Sequence, residues 1–221
     1  MPPEPSAAGA SASREYERRR ANREARVRER FGALGGIVLA VSEEPQHQRA
    51  WARGAEGEVK LARKLEKWTV EHGVVVLHDR RMPTSRGNID HIAIGPSGVT
   101  VIDAKRYRGR IAVEHRGGLL RARTEHLMVG GRERTKLADG VLGQAEAVRK
   151  VLEGSEHDNV VVRAALCFVD GDWPLLGRLE VRGVPILPPR HAAKLCRAEG
   201  PLDPSQVERL ADEIARRLPP A

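Results

Sequence analysis

A chain of 221 residues, 40% hydrophobic but only 3% aromatic, can bury one sizeable core packed mainly by Val, Leu, Ile and Ala. Its formal net charge of +8 favours a polyanionic partner, nucleic acid above all, with binding that weakens as salt rises. Cys167 and Cys196 are too few and too far apart for a disulfide framework or a zinc-type pairing, and they predict buried reduced thiols in a cytoplasmic protein.

Residues 1–13 are Pro- and Ala-rich, lack the apolar run of a signal peptide, and predict a disordered N-terminus. Residues 14–30 interleave eight Arg with four Glu, with helical spacings such as Glu15 to Arg19 and Glu24 to Arg28. They predict a charged helix, either simply solvated or an arm for nucleic acid. Phe31–Val41 is apolar, but eleven residues cannot span a bilayer as a helix, so no membrane span is expected. Residues 14–50 thus read as a basic helical extension with an apolar connector, and 51–221 as the main domain. Residues 31–221 retain a charge of +5.

From Gly54 a helix is predicted, because Glu58, Leu61, Ala62 and Leu65 recur at i, i+3, i+4 and i+7. The Glu58 carboxylate therefore lies on the stripe that faces the sheet, where an unpaired charge is costly. Either the helix N-terminus stabilises it or it serves a site. Glu56 falls on the solvated side. Val74–His78 reads as a strand and Arg80–Gly87 as a polar loop.

Asn88–Tyr107 then holds two β-branched runs around Gly95-Pro96-Ser97-Gly98, which predicts a β-hairpin. If Ile94 faces Val99, then Ile92 faces Val101 and Asp90 faces Asp103, with Lys105 on the same face as Asp103. Two carboxylates opposed across a strand pair repel and shift each other's pKa. A hard divalent cation such as magnesium would relieve that conflict. A register slipped by one residue would instead leave one carboxylate in solvent and the other as an ordinary strand-end Asp.

Further on, Arg110–His115 and Leu119–Thr124 are strand candidates around Gly117-Gly118, and a turn with a basic rim leads to Lys136. A helix is expected over 139–153 with Leu142, Ala145, Val148 and Leu152 on one face. Gln144 shares a side with Val148 and Val151, as a satisfied structural amide or a group near a site. Val160–Val169 predicts a buried strand, Val184–Leu187 a shorter one, and 190–197 a helix. The last helix begins at N-cap Asp203 with Pro204 after it. The element order implies an α/β fold: a mixed central β-sheet flanked by helices, with an N-terminal charged helix and a C-terminal helix.

Asn88-Ile89-Asp90-His91 followed by Ile102-Asp103-Ala104-Lys105 resembles the core of the nuclease-related domain (NERD), within the PD-(D/E)XK nuclease superfamily. Gly54-Ala55-Glu56-Gly57-Glu58 is similar to that family's helical Gly-x-x-Gly-Glu. The resemblance extends to Tyr107-Arg108-Gly109-Arg110-Ile111, Gln144 and Val160–Val169, covering roughly residues 54–170. Ile89 stands where the superfamily name has Pro, which removes no carboxylate. The resemblance implies a restriction-endonuclease-like core and hydrolysis of phosphodiester bonds, in DNA, with Mg2+ or Mn2+. It implies metal ligation by Asp90, Asp103, the Ala104 carbonyl and Glu58, with Lys105 acting on the attacking water and Gln144 near the site. Arg106 and Arg108 would contact phosphate.

No zinc-protease histidine spacing, P-loop, dinucleotide fingerprint or serine-hydrolase elbow is present, which disfavours those classes. Beside the metal-dependent nuclease stand two rivals. One is a non-catalytic module that keeps the fold and binds nucleic acid or protein. The other is an interaction protein acting through residues 14–41.

Overall fold

The computed structural model describes residues 8–31, 46–83, 85, 87–118, 121–175 and 177–221. Its helices are α1 (Ala10–Phe31), α2 (Gln46–Thr69), α3 (Lys136–Leu152), α4 (Pro189–Cys196) and α5 (Pro204–Arg217). Its strands are β1 (Val75–Arg81), β2 (Asn88–Gly95), β3 (Gly98–Lys105), β4 (Ile111–Gly118), β5 (Arg121–Val129), β6 (Arg132–Glu133), β7 (Val162–Phe168), β8 (Leu179–Val181) and β9 (Val184–Leu187). The expected apolar connector Phe31–Val41 lies, beyond Phe31, outside the described residues.

One six-stranded sheet has the order β1-β2-β3-β7-β9-β8. Strands β1, β2 and β3 run antiparallel in sequence, β3, β7 and β9 run parallel, and β8 closes the edge antiparallel to β9. A parallel neighbour requires a crossover, and α3 lies on the return path from β3 to β7. β3 thereby has a partner on each edge, so the next hairpin has no edge there to join. β4 and β5 pair with each other and with β6 in a separate three-stranded sheet, where the sequence implies one continuous meander.

The alternation of side chains divides the core between the two sheet faces. Ile92, Ile94, Val99 and Val101 pack with Val141, Ala145 and Val148 of α3 and with Val207, Leu210 and Ile214 of α5. Ala93, Ile102 and Ala104 pack with Leu61 and Leu65 of α2 and with Ala192, Ala193 and Cys196 of α4. Each fully buried Leu or Ile contributes about 1.5–3 kcal/mol, so these stripes set which helix covers which face. Asp203 caps α5 with a capping box, accepting from the Gln206 N–H at 2.9 Å while its own N–H donates to Oε1 of Gln206 at 2.8 Å.

The central hairpin has the expected register, Ile94 opposite Val99 and Ile92 opposite Val101. It closes one step tighter, because Gly95 pairs with Gly98 and only Pro96 and Ser97 bridge the strands. Gly98 has φ 108°, and a Cβ there would collide with the Val161 carbonyl that accepts the Val99 N–H at 2.9 Å.

β1 continues through Arg80 and Arg81, which the sequence assigns to a loop. The C-terminal segment explains this: the Arg81 N–H donates to the Pro219 carbonyl at 2.9 Å and buried Arg80 donates to the Leu218 carbonyl at 3.3 Å. α1 begins at Ala10, inside the stretch expected to be disordered, and α2 begins at Gln46 and runs through the expected domain boundary at residue 51. Both cysteines are free and buried; burial raises the Cys167 thiol well up and pushes Cys196 up to about 12. Neither is a nucleophile at neutral pH. Among the described residues no helix is long and apolar enough to cross a membrane.

Candidate active site

Three neighbouring strands carry an aspartate at one level. In β1 and β2, His78 pairs with His91 and Arg80 with Ile89, which sets Asp79 level with Asp90. In β2 and β3, His91 pairs with Ile102, which sets Asp90 level with Asp103. The residues responsible are a mirrored pair, His78-Asp79 in one strand and Asp90-His91 in the next, which antiparallel pairing superimposes.

Asp90 and Asp103 are both buried, and both are held by the end of β3. Asp90 Oδ2 accepts the Ala104 N–H at 2.9 Å, and Lys105 Nζ donates to Asp103 Oδ1 at 2.6 Å. Burial, then the Asp103 charge, then Glu58 raise the Asp90 carboxyl well above the usual range. Burial lowers the Lys105 pKa, but Asp103 and Asp90 outweigh it and hold it above the ordinary lysine value. Lys105 is therefore a permanent cation at neutral pH.

Glu58 joins this group from α2. Leu61 and Leu65 of α2 pack on the sheet face of Ile102 and Ala104, which alternation along β3 sets opposite Asp103. The N-terminal half of α2 meets the chain where β3 ends: a Cβ on Gly57 would lie 2.9 Å from the Arg106 Cβ. That close approach brings Glu58 within the field of Lys105 and Asp103. Glu58 Oε2 is fully buried without a hydrogen-bond partner. Burial first, then Asp79 and, more weakly, Asp103 raise its pKa from 4.5 to about 7, with Lys105 opposing.

Asp79 is a site-adjacent residue that the sequence does not single out, since it falls between a predicted strand and a predicted loop. It is 1% exposed and adopts φ 47°, a left-handed conformation that Asp tolerates better than most residues. Its carboxylate accepts from the Ser11 N–H, the Ser11 hydroxyl and the Asn88 amide, each at 2.6 Å. The first turn of α1 is thereby tied to the edge of the site.

Other residues fall further from the carboxylates. His91 lies on the opposite face, fully buried, with Nδ1 2.8 Å from Nδ1 of His78; His78 Nε2 is 3.0 Å from Glu66. Burial lowers the pKa of both rings, which marks them as structural neutral imidazoles. Gln144 stands on α3, on the carboxylate side, with a buried Oε1 that has no partner and no hydrogen bond to the aspartates. Arg106 is committed elsewhere, donating to Asp170 at 2.6 Å and to Glu56. Arg108 is exposed.

Asp90, Asp103 and Glu58 thus lie within the field of the Lys105 ammonium, with Asp79 beyond Glu58 and one Glu58 oxygen unsatisfied. Surplus buried negative charge and oxygen donors fit a hard divalent cation. Among the described residues no three His, Cys, Asp or Glu side chains are already arranged to hold a metal ion together, so an ion there would draw on two carboxylates, a backbone carbonyl and water, with Glu58 reached through that water or by a shift of its side chain.

The family model of the nuclease-related domain (NERD) matches residues 53–169, from within α2 to the end of β7. No curated protein and no solved structure matches the chain.

Proposed function

Because the chain belongs to the nuclease-related domain family, we propose that it is a metal-dependent nuclease that hydrolyses phosphodiester bonds in DNA. The observation that carries this reading is the buried group of Asp90, Asp103 and Lys105 beside the unpartnered Glu58 oxygen. A bound magnesium or manganese ion, held by Asp90, Asp103, the Ala104 carbonyl and Glu58 directly or through water, would supply a Lewis acid and a more acidic water.

The chain's own residues have separable tasks. Lys105, kept protonated by its two aspartates, donates to the attacking water or to the phosphate oxygens and stabilises their growing negative charge. It is a poor base for the same reason. Glu58, buried with one oxygen unpaired and its pKa raised to about 7, is the carboxylate with most to gain from added positive charge, which would return it to the ionised form. Arg108 is available to phosphate, whereas Arg106 would first have to exchange Asp170 and Glu56 for it.

Cleavage of single- and double-stranded DNA and of RNA, with and without magnesium or manganese, tests the proposal. Asp103→Asn preserves size and removes a charge, so cleavage falls by about 100-fold or more. Nucleic-acid binding without metal persists or improves, since one carboxylate repelling phosphate is gone. Wild-type protein that cuts none of these substrates with either metal overturns the reading. The second reading, a non-catalytic nucleic-acid-binding module, draws support from how fully Lys105 and the Ala104 N–H already satisfy the two aspartates.

A further inference from the structure

The sheet face turned away from the aspartates carries a feature that hydrolysis does not use. α4 places Arg190 and Lys194 four residues apart, with Arg197 three further on at its C-cap, so all three project from one side of the helix. Its other side, Ala192, Ala193 and Cys196, is buried against α2. Between this basic side and the end of α2 lies a groove of about 370 Å³, lined by Trp68, Arg190, His191, Ala193, Lys194 and Arg197. Among the described residues no Asp or Glu lines it. Trp68 packs partly against the core and Arg190 holds its guanidinium over the ring, 5.9 Å from its centre, so a flat partner gains the indole face only when Arg190 swings off it onto an anion. Arg197 lies 3.3 Å from His72 Nε2, another nitrogen rather than a carboxylate.

We infer that this groove binds a single-stranded stretch of nucleic acid, with a base stacked on Trp68 and phosphates on Arg190, Lys194 and Arg197. Cations without facing carboxylates provide the backbone contacts, and an aromatic ring beside them provides a stacking platform for any base. The volume suits one nucleotide unit at a time, and the open groove lets the strand continue past it. An acidic peptide would use the cations but would gain nothing from the indole face. The inference rests on the proposed function only in taking nucleic acid as the ligand class. It needs neither metal nor the aspartates.

The test titrates the full chain, in the presence of a metal chelator, with an oligothymidylate of about ten nucleotides, following tryptophan fluorescence and the anisotropy of a labelled strand. Wild-type protein shows quenching. Trp68→Ala loses most of that quenching, leaving Trp51 and Trp173 as the emitting residues, and binds about tenfold more weakly. Lys194→Gln combined with Arg197→Gln keeps the ring and lowers the slope of log affinity against log salt by about 1.4. This pair guards against a folding defect in Trp68→Ala. Asp103→Asn retains the quenching, so a failed nuclease reading and a failed groove give different results. Unchanged affinity and salt slope in both groove variants overturn the inference. So does polyglutamate that competes equally well and quenches Trp68 to the same extent.

Discussion

Neither solvent nor a donor reaches Oε2 of Glu58, and burial with the Asp79 and Asp103 charges raises its pKa from 4.5 to about 7. A carboxyl whose folded pKa lies above its unfolded value favours the fold while protonated. Between about pH 4.5 and 7 the unfolded chain loses this proton first, so stability falls as pH rises through that window. Full ionisation costs on the order of 3 kcal/mol. Glu58→Gln keeps the shape and removes the charge. It is therefore expected to melt higher than wild type at about pH 8, by on the order of 2–3 kcal/mol, and alike at about pH 4. Its cleavage activity falls at the same time, the opposite movements expected of a strained functional group. Equal melting of the two proteins at the higher pH would contradict the account. Lys105→Ala separates from these by leaving metal binding in place while cleavage drops by about 100-fold; calorimetric titration with manganese beside a cleavage assay reads both.

At the scale of elements, the position of α2 depends on which residue of its glycine-rich turn lacks a side chain. A Cβ on Gly57 would sit 2.9 Å from the Arg106 Cβ, whereas one on Gly54 meets nothing within 4 Å. Both changes to Ala favour a helix by about 1 kcal/mol. Gly54→Ala should thus stabilise the protein by about that amount and leave cleavage alone. Gly57→Ala should push α2 off the end of β3 and draw Glu58 back, cutting cleavage by about tenfold or more with little net change in melting. Parallel melts and cleavage assays decide it, and identical behaviour of the two variants would remove Gly57 from its positioning role. The hairpin carrying Asp90 and Asp103 was legible in the sequence because two-residue alternation and a Gly-Pro-Ser-Gly turn leave few registers. The departure of β4–β6 from the main sheet was not, since it depends on β7 occupying the far edge of β3, a long-range pairing without local pattern. Asp79 was hidden for a similar reason: Arg80 looks like a loop residue until the C-terminal segment supplies its partners. The side from which α2 approaches was equally invisible, because periodicity tells which face of a helix is buried and not which face of the sheet receives it.

Across the whole molecule, positive charge is spread over α1, the rim of the site and the α4 groove rather than gathered in one arm. α1 carries eight Arg against four Glu, yet its first turn also has a structural task through the Ser11–Asp79 hydrogen bonds. Removing residues 1–30 should therefore have two separable effects. Stability falls by about 1–3 kcal/mol, because a buried carboxylate loses two donors; thermal melts measure this. The salt dependence of nucleic-acid binding falls only in part, because the rest of the chain keeps +5 and the groove beside Trp68 remains. Every phosphate that α1 neutralises steepens log affinity against log salt by about 0.7–0.9, so the difference in slope between full-length and truncated protein gives the number of phosphates α1 engages. A truncated protein that is still folded yet binds nothing would make α1 the main binding element and leave the domain surface without that role. A slope that does not change would instead make α1 a structural brace whose arginines face solvent.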